Sequence, residues 1–162
     1  MIRIEPRLAA AVIAATLSLG ALAHGEPPSA GVVRVKSAYG VDETVRRLKA
    51  DIAAKGIRFF AEIDQARLAA DAGVKGLRRS TLLEFGNPPL GTQFITAKAD
   101  AGLDWPVRLL VTEDEHGEVW AVYNDFAWIA RRHGITNREQ QFNTASGVIE
   151  SITSSVSGLS PR

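Results

Sequence analysis

Carboxylates, amides and hydroxyls collect in this sequence where β-type residue runs give way to capping residues. Asp64 follows a run over residues 57–63, Asn87 and Thr92 flank Pro88-Pro89-Leu90-Gly91, and Tyr123, Asn124 and Asp125 close a run beginning at Val119. These six are the candidate ligand-binding residues, because strand ends present polar side chains at the mouths of clefts. Asp64 and Asp125, if brought together, would share a proton or hold a cation, since paired carboxylates raise one of their pKa values. Residues 87–92 run from a strand into a helix, so their N–H groups would converge on an anion, with the Thr92 hydroxyl beside them. Ordinary capping and turn formation compete with both readings: Asp125 is a good N-cap, Asn87-Pro88 a good turn, and Thr92 a good cap.

Metal and cofactor chemistry finds little support. The acidic run Glu113-Asp114-Glu115 with His116 has hard-cation ligands, but it lacks the spacing of a calcium loop and sits where a hairpin collects solvated charge. His133 precedes Gly134 at a helix end, where the macrodipole accounts for an imidazole. His24 would chelate copper only as a free N-terminus, and a leader segment without other histidines nearby is the favoured explanation. Cysteine is absent and Met1 is the lone methionine, which excludes disulfides, thiol nucleophiles and thiolate metal sites. No nucleophile elbow, phosphate loop or dinucleotide fingerprint occurs. The sequence therefore calls for no cofactor and no metal, and an enzyme built on it would have to rely on carboxylates.

The chain opens with Arg3 and Arg7, continues through an apolar run over residues 8–22, and reaches Ala21-Leu22-Ala23, the small-x-small pattern of a signal-peptidase site. The run falls short of the ~20 residues that span hydrocarbon. The expectation is a signal peptide over residues 1–23, a periplasmic or secreted product, and no stable membrane insertion after processing. Cleavage takes Arg3, Arg7 and Glu5 from a chain of 19 basic and 18 acidic residues, so the product carries 17 of each and no net charge. A nucleic-acid partner is disfavoured, because such proteins carry a basic surplus.

The remaining residues position the candidates. Residues 24–31 form a Pro- and Gly-containing leader. A strand is expected from Val32, then a helix capped by Asp42 with Val41, Val45, Leu48 and Ile52 on one stripe and Gly56 as its stop. Ile57, Phe59, Ala61 and Ile63 alternate with Arg58, Phe60 and Glu62 as a second strand, after which Asp64 caps a short helix. A third strand ends at Gly86-Asn87-Pro88-Pro89, and Gly91-Thr92 opens a helical segment burying Phe94, Ile95 and Ala97. Val107–Glu113 and Val119–Asn124 make a hairpin, Asp125 caps a helix stopped by His133-Gly134, and Asn137 opens a last helix bearing Phe142, Ala145, Ile149 and Ile152. From Ser154 the tail is expected to fray.

Phe85-Gly86-Asn87-Pro88, Gly91-Thr92, residues 108–114, Tyr123-Asn124-Asp125 and Arg132-His133-Gly134 occur in the order found in the domain-of-unknown-function 302 family, which the chain resembles over residues 41–135. The resemblance implies an α+β fold of two layers, TATA-binding-protein-like, with a curved antiparallel sheet and helices on one face. It implies no reaction. Two positions depart from the family pattern: Gln65 stands where histidine is frequent, removing any imidazole chemistry there, and Phe126 stands where proline is common.

The domain accordingly spans residues 32–135, with a C-terminal helix and tail over 136–162. The expected function is a non-catalytic exported module for a small, anionic or amphipathic ligand. The alternatives are a carboxylate-dependent enzyme using Asp64 and Asp125, and a homodimeric interaction protein using the Phe142–Ile152 stripe. Export makes a direct prediction: protein recovered from the periplasm of a diderm host begins at His24, and Ala23→Leu blocks or displaces processing. Intact mass decides it, and a full-length chain in the cytoplasmic fraction would refute export.

Overall fold

The computed structural model describes residues 31–158. The apolar N-terminal run, the cleavage point after Ala23 and His24 lie outside the described residues, as do residues 159–162. The elements follow as β1 (Val32–Lys36), α1 (Val41–Ala54), β2 (Arg58–Asp64), α2 (Gln65–Asp71), β3 (Ser80–Gly86), α3 (Pro88–Ala97), a 3-10 segment (Ala99–Asp104), β4 (Val107–Glu113), β5 (Val119–Asn124), α4 (Phe126–His133) and α5 (Glu139–Ser154). The five strands form one antiparallel sheet in the order β1-β5-β4-β3-β2. Among the described residues no helix is long and apolar enough to cross a membrane.

The register explains which face is covered. Leu83 pairs with Leu109 and Leu109 with Tyr123, while Thr81, Val111 and Ala121 form the neighbouring row; all six are buried under the helices. Helix α1 contributes Leu48 and Ile52, and α5 contributes Ile149 and Ile152, each at most 2% exposed. Truncating a fully buried leucine or isoleucine of this kind to alanine costs about 2–5 kcal/mol. The C-terminal stripe therefore packs inside its own chain, with Phe142 stacked on Phe94 at 4.2 Å between ring centroids. This removes the observation that suggested a homodimer. The polypeptide also stays packed past Ser154, contrary to the expected fraying: Val156 is fully buried and its carbonyl accepts from the Ala38 amide.

Several boundaries differ from expectation for identifiable reasons. Helix α1 begins at Val41 with Gly40 as N-cap, and Asp42 lies in the first turn, where it pairs with Arg79. Helix α5 begins at Glu139 after Arg138 rather than at Asn137. In β2 a bulge at Phe60 shifts the register, so Phe59 sits opposite buried Phe85 whereas Ile63 sits opposite Leu82 on the open face. The apolar alternation read from the sequence is thus split between the two faces, and Glu62 and Asp64 turn toward the helix side, where Glu62 meets Lys49 of α1. A one-residue insertion reverses the facing of every later side chain in a strand.

Other expectations hold. Gly56 and Gly134 adopt the left-handed conformations that stop α1 and α4 (φ +65° and +62°), and the β4–β5 hairpin has the expected limits. The hairpin turn is organised by Asp114, which accepts from the His116 and Glu118 amides and, at 2.8 Å, from the Trp120 indole. The Trp120 hydrogen bond is the chief cause of a depressed Asp114 pKa, reinforced by the two amides. A depressed carboxylate stabilises the fold above the unfolded pKa of ~4, and that contribution fades as pH falls through the folded value. Urea titrations at pH 7 and pH 3 are expected to show a difference between wild type and Asp114→Asn that narrows at the lower pH. Parallel pH dependence in the two proteins would contradict the role given to Asp114.

Candidate functional site

The last residue of β3 and a residue inside α3 are both glycine, and the indole of Trp105 lies against them. A Cβ on Gly91 would fall 1.8 Å from the indole nitrogen and one on Gly86 2.9 Å from it, so no side chain fits at Gly91 while the ring stays in place. Trp105 is held by what precedes it. Asp104, its side chain 4% exposed, accepts from Arg132 at 3.1 Å and meets His133 Nε2 at 2.6 Å. His133 is thus a buried clamp between α4 and the 3-10 segment as well as a helix-end residue.

Behind the indole, α3 and α5 are held together by the Phe94–Phe142 stack but part toward the end of β3. The gap is a cavity of about 430 Å³. Its walls are Phe85, Phe94, Trp105, Phe126, Val148 and Ile149; its polar groups are Lys55, Asn87, Asn143, Thr144 and Ser151. Gly147 borders the same space, with nothing within 4 Å of where its Cβ would stand.

Of the six residues singled out in the sequence, Asn87 alone borders this cavity. Its side chain caps α3 by accepting from Leu90 N, and the helix begins at Pro88 rather than at Gly91-Thr92. The anion reading of residues 87–92 fails on that geometry: Pro88 and Pro89 have no N–H to offer, and the Leu90 and Gly91 amides already reach Asn87. Thr92 is exposed in the second turn, its hydroxyl donating to the Pro88 carbonyl, so it is neither cap nor ligand donor at the helix start. Of the apolar trio expected beneath α3, Phe94 is buried while Ile95 and Ala97 are half-buried.

Asp64 and Asp125 occupy opposite ends of the sheet. Asp64 is in register with Thr81, Val111 and Ala121, and Asp125 lies four residues past Ala121. Three strand spacings and four residues of rise separate the two by roughly 20 Å, well beyond the ~10 Å reach of cooperating carboxylates. Each is engaged locally: Asp64 accepts from Arg67 N to cap α2, and Asp125 accepts from Ala127 N and Trp128 N to cap α4. Gln65, the departure from the family pattern, accepts from the Ser80 hydroxyl at 2.7 Å and ties α2 to β3. Tyr123 is interior; burial, then the charge of Glu150, pushes its phenol pKa up. Asn124 faces a separate small recess beside Asp104 and Arg108. Among the described residues no group of three or more His, Asp or Glu side chains is placed to hold a metal ion.

Trp105, Gly91, Lys55 and Val148 were missed, being widely separated along the chain. One signal was available: a glycine inside a helix sacrifices about 1 kcal/mol relative to alanine, which points to a close approach.

Fold and site together define a two-layer α+β protein with an apolar cavity at one end of its sheet and polar groups at the cavity rim. The chain belongs to the family described as Domain of unknown function DUF302, which matches residues 33–152. The crystal structure of an uncharacterized conserved DUF302 protein from Bacillus stearothermophilus superposes with a TM-score of 0.72 at 13% identity, covering 79% of this chain and 99% of that one. In sequence, the chain is 40% identical over 117 residues to "Fluoride-specific ion channel FluC 1" of Brucella suis biovar 1 (strain 1330), covering 69% of this chain and 46% of the relative. The match to the protein of the same name in Brucella abortus biovar 1 (strain 9-941) has the same identity and length and covers 43% of that relative. The chain therefore spans less than half the length of these curated relatives.

The Trp105 contact yields a prediction opposed to helix propensity. Gly→Ala inside a helix ordinarily gains about 1 kcal/mol, whereas overpacking costs about 1–3 kcal/mol. Gly91→Ala is expected to lower stability and shift tryptophan emission, while Gly147→Ala, with open space at its Cβ, raises stability. Denaturant unfolding of the pair checks this, and a stabilised Gly91→Ala would refute the packing described.

Proposed function

We propose that the mature protein is an exported, non-catalytic module that binds a small molecule in the cavity between α3, α5 and the end of the sheet. The observation that carries this reading is the cavity itself. Its volume of about 430 Å³ falls within the roughly 300–1,000 Å³ typical of ligand sites, and its walls combine an apolar interior with a few convergent polar groups. The separation of Asp64 and Asp125 supports the non-catalytic part, because it leaves the carboxylate enzyme without its pair. Export rests on the charged start, the apolar run and Ala21-Leu22-Ala23 together.

Fluoride conduction, named for the Brucella relatives, is on this reading a property of the parts of those proteins outside the aligned stretch. Two observations support that assignment: the alignment takes in less than half of each relative, and no helix among the described residues here is suited to crossing a membrane. The cavity is also poorly suited to a small, strongly hydrated anion, since an apolar wall cannot replace its water.

Thermal-shift screening against amphipathic metabolites and lipids, with tryptophan emission followed in parallel, tests the reading. Wild type is expected to melt higher with one or more compounds and to change emission through Trp105. Gly147→Leu is expected to melt above wild type by a few degrees without ligand, from relief of the helix glycine, and to lose the ligand shift because its side chain occupies the entrance. A panel that leaves wild-type melting uniformly unchanged would refute the binding function.

A further inference from the structure

We infer that the ligand of this cavity is an apolar monoanion, a small carboxylate with an aliphatic or aromatic body, whose head group sits at Lys55. The assignment rests on the cavity-binding reading and adds a charge and an orientation to it.

The charge follows from the lining. Among the described residues, Lys55 is the one charged residue bordering the cavity, and no Asp, Glu, Arg or His side chain does so. An anion entering this space meets a cation in the walls, the neighbouring Asp51 carboxylate standing outside the lining as the partner of Lys55, whereas a cation meets no carboxylate in the walls. Lys55 sits at the C-cap of α1 and pairs with Asp51 at 2.6 Å, the two side chains 31% and 24% exposed. An ammonium has three donors, so the Asp51 contact leaves two for a ligand.

Polarity fixes the orientation. Asn87 uses its side-chain oxygen to cap α3, and its amide N–H groups make no hydrogen bond to another described residue. Asn143, Thr144 and Ser151 are exposed at the same border. The hydrogen-bonding groups are thus at the rim, and the interior of Phe85, Phe94, Trp105 and Phe126 offers none to a buried polar tail apart from the indole N–H facing Gly91. A ligand polar at both ends would leave one end unpaired against apolar wall, which is costly. One apolar body and one anionic head match the site.

Titration calorimetry and tryptophan quenching at pH 7.5 with octanoate, 3-phenylpropanoate, 1-octanol and octylamine separate the possibilities. For wild type, at least one carboxylate is expected to bind about tenfold more tightly than octanol, the worth of a charge-assisted hydrogen bond, and octylamine most weakly. Lys55→Gln is expected to abolish the preference for carboxylate while leaving octanol affinity and melting temperature near wild type, since an exposed ion pair contributes little to stability. Lys55→Arg retains the preference. If octanol binds as tightly as the carboxylates, if Lys55→Gln changes nothing, or if octylamine binds best, the anion assignment is overturned while the cavity reading stands. If no probe binds wild type, or binding persists unchanged in Gly147→Leu, the cavity reading fails and this assignment with it.

Discussion

The indole of Trp105 rests on backbone that has no side chain to move aside, and the geometry of one end of the molecule follows from that contact. Gly86 ends β3 and Gly91 lies in α3, so a single ring fixes how closely the helix returns across the strand it has just left. Asp104, gripped by Arg132 and His133, sets the ring's approach from the other side. With α3 fixed there and held to α5 through Phe94 and Phe142, the two helices leave between them a space that neither fills. A second indole repeats the device at the opposite edge: Trp128 covers Gly31, where a Cβ would fall 2.3 Å from the ring, and Arg132 lies over the Trp128 ring.

Local regularities were legible in the sequence. The β4–β5 hairpin, the caps at Asp64 and Asp125 and the apolar stripe of α5 depend on neighbours within a few positions, and each appears as read. The failures share a cause, which is dependence on distant partners or on a local feature with two meanings. Pro88-Pro89 reads as a strand breaker, yet proline is equally at home in the first turn of a helix, and here the same two residues do both. The run Phe59-Phe60-Ala61 carries apolar residues for either face, so nothing in it announces the bulge that β3 imposes. The cavity draws on the residues just after α1, on β3, α3, the residue after the 3-10 segment, β4, α4 and α5, and no window of sequence contains it.

Acidic residues, those that looked chemically promising among them, are engaged in positioning the backbone. Asp64 and Asp125 cap helices, Asp114 closes a hairpin, and Asp104 clamps the segment before Trp105. Glu43, pulled down to about 2 chiefly by its hydrogen bond to Arg46, joins that arginine to Arg47, which in turn covers the Tyr39 ring. Asp114 and Glu43, held this way, are poor acids and bases near neutral pH, because the donor and positive groups around them stabilise the ionised form. The binding reading and the dispersed carboxylates are two aspects of one distribution: charge is placed at turns, helix ends and one buried clamp, and among the described residues the cavity beside Trp105 has a single charged residue in its lining.

The bulge at Phe60 also bears on how copies of this chain meet at high concentration. With strand order β1-β5-β4-β3-β2, the outermost ladders among the described residues belong to β1 and β2, and a flat outer strand is a template onto which another chain can add. Strand β2 is interrupted where Phe60 leaves the ladder, so a continuous run of donors and acceptors is never offered there. Strand β1 is only five residues long and points Arg34 and Lys36 outward. The irregularity that confuses the sequence pattern thus gives the sheet a ragged border, a feature of the kind that opposes edge-to-edge addition of another strand.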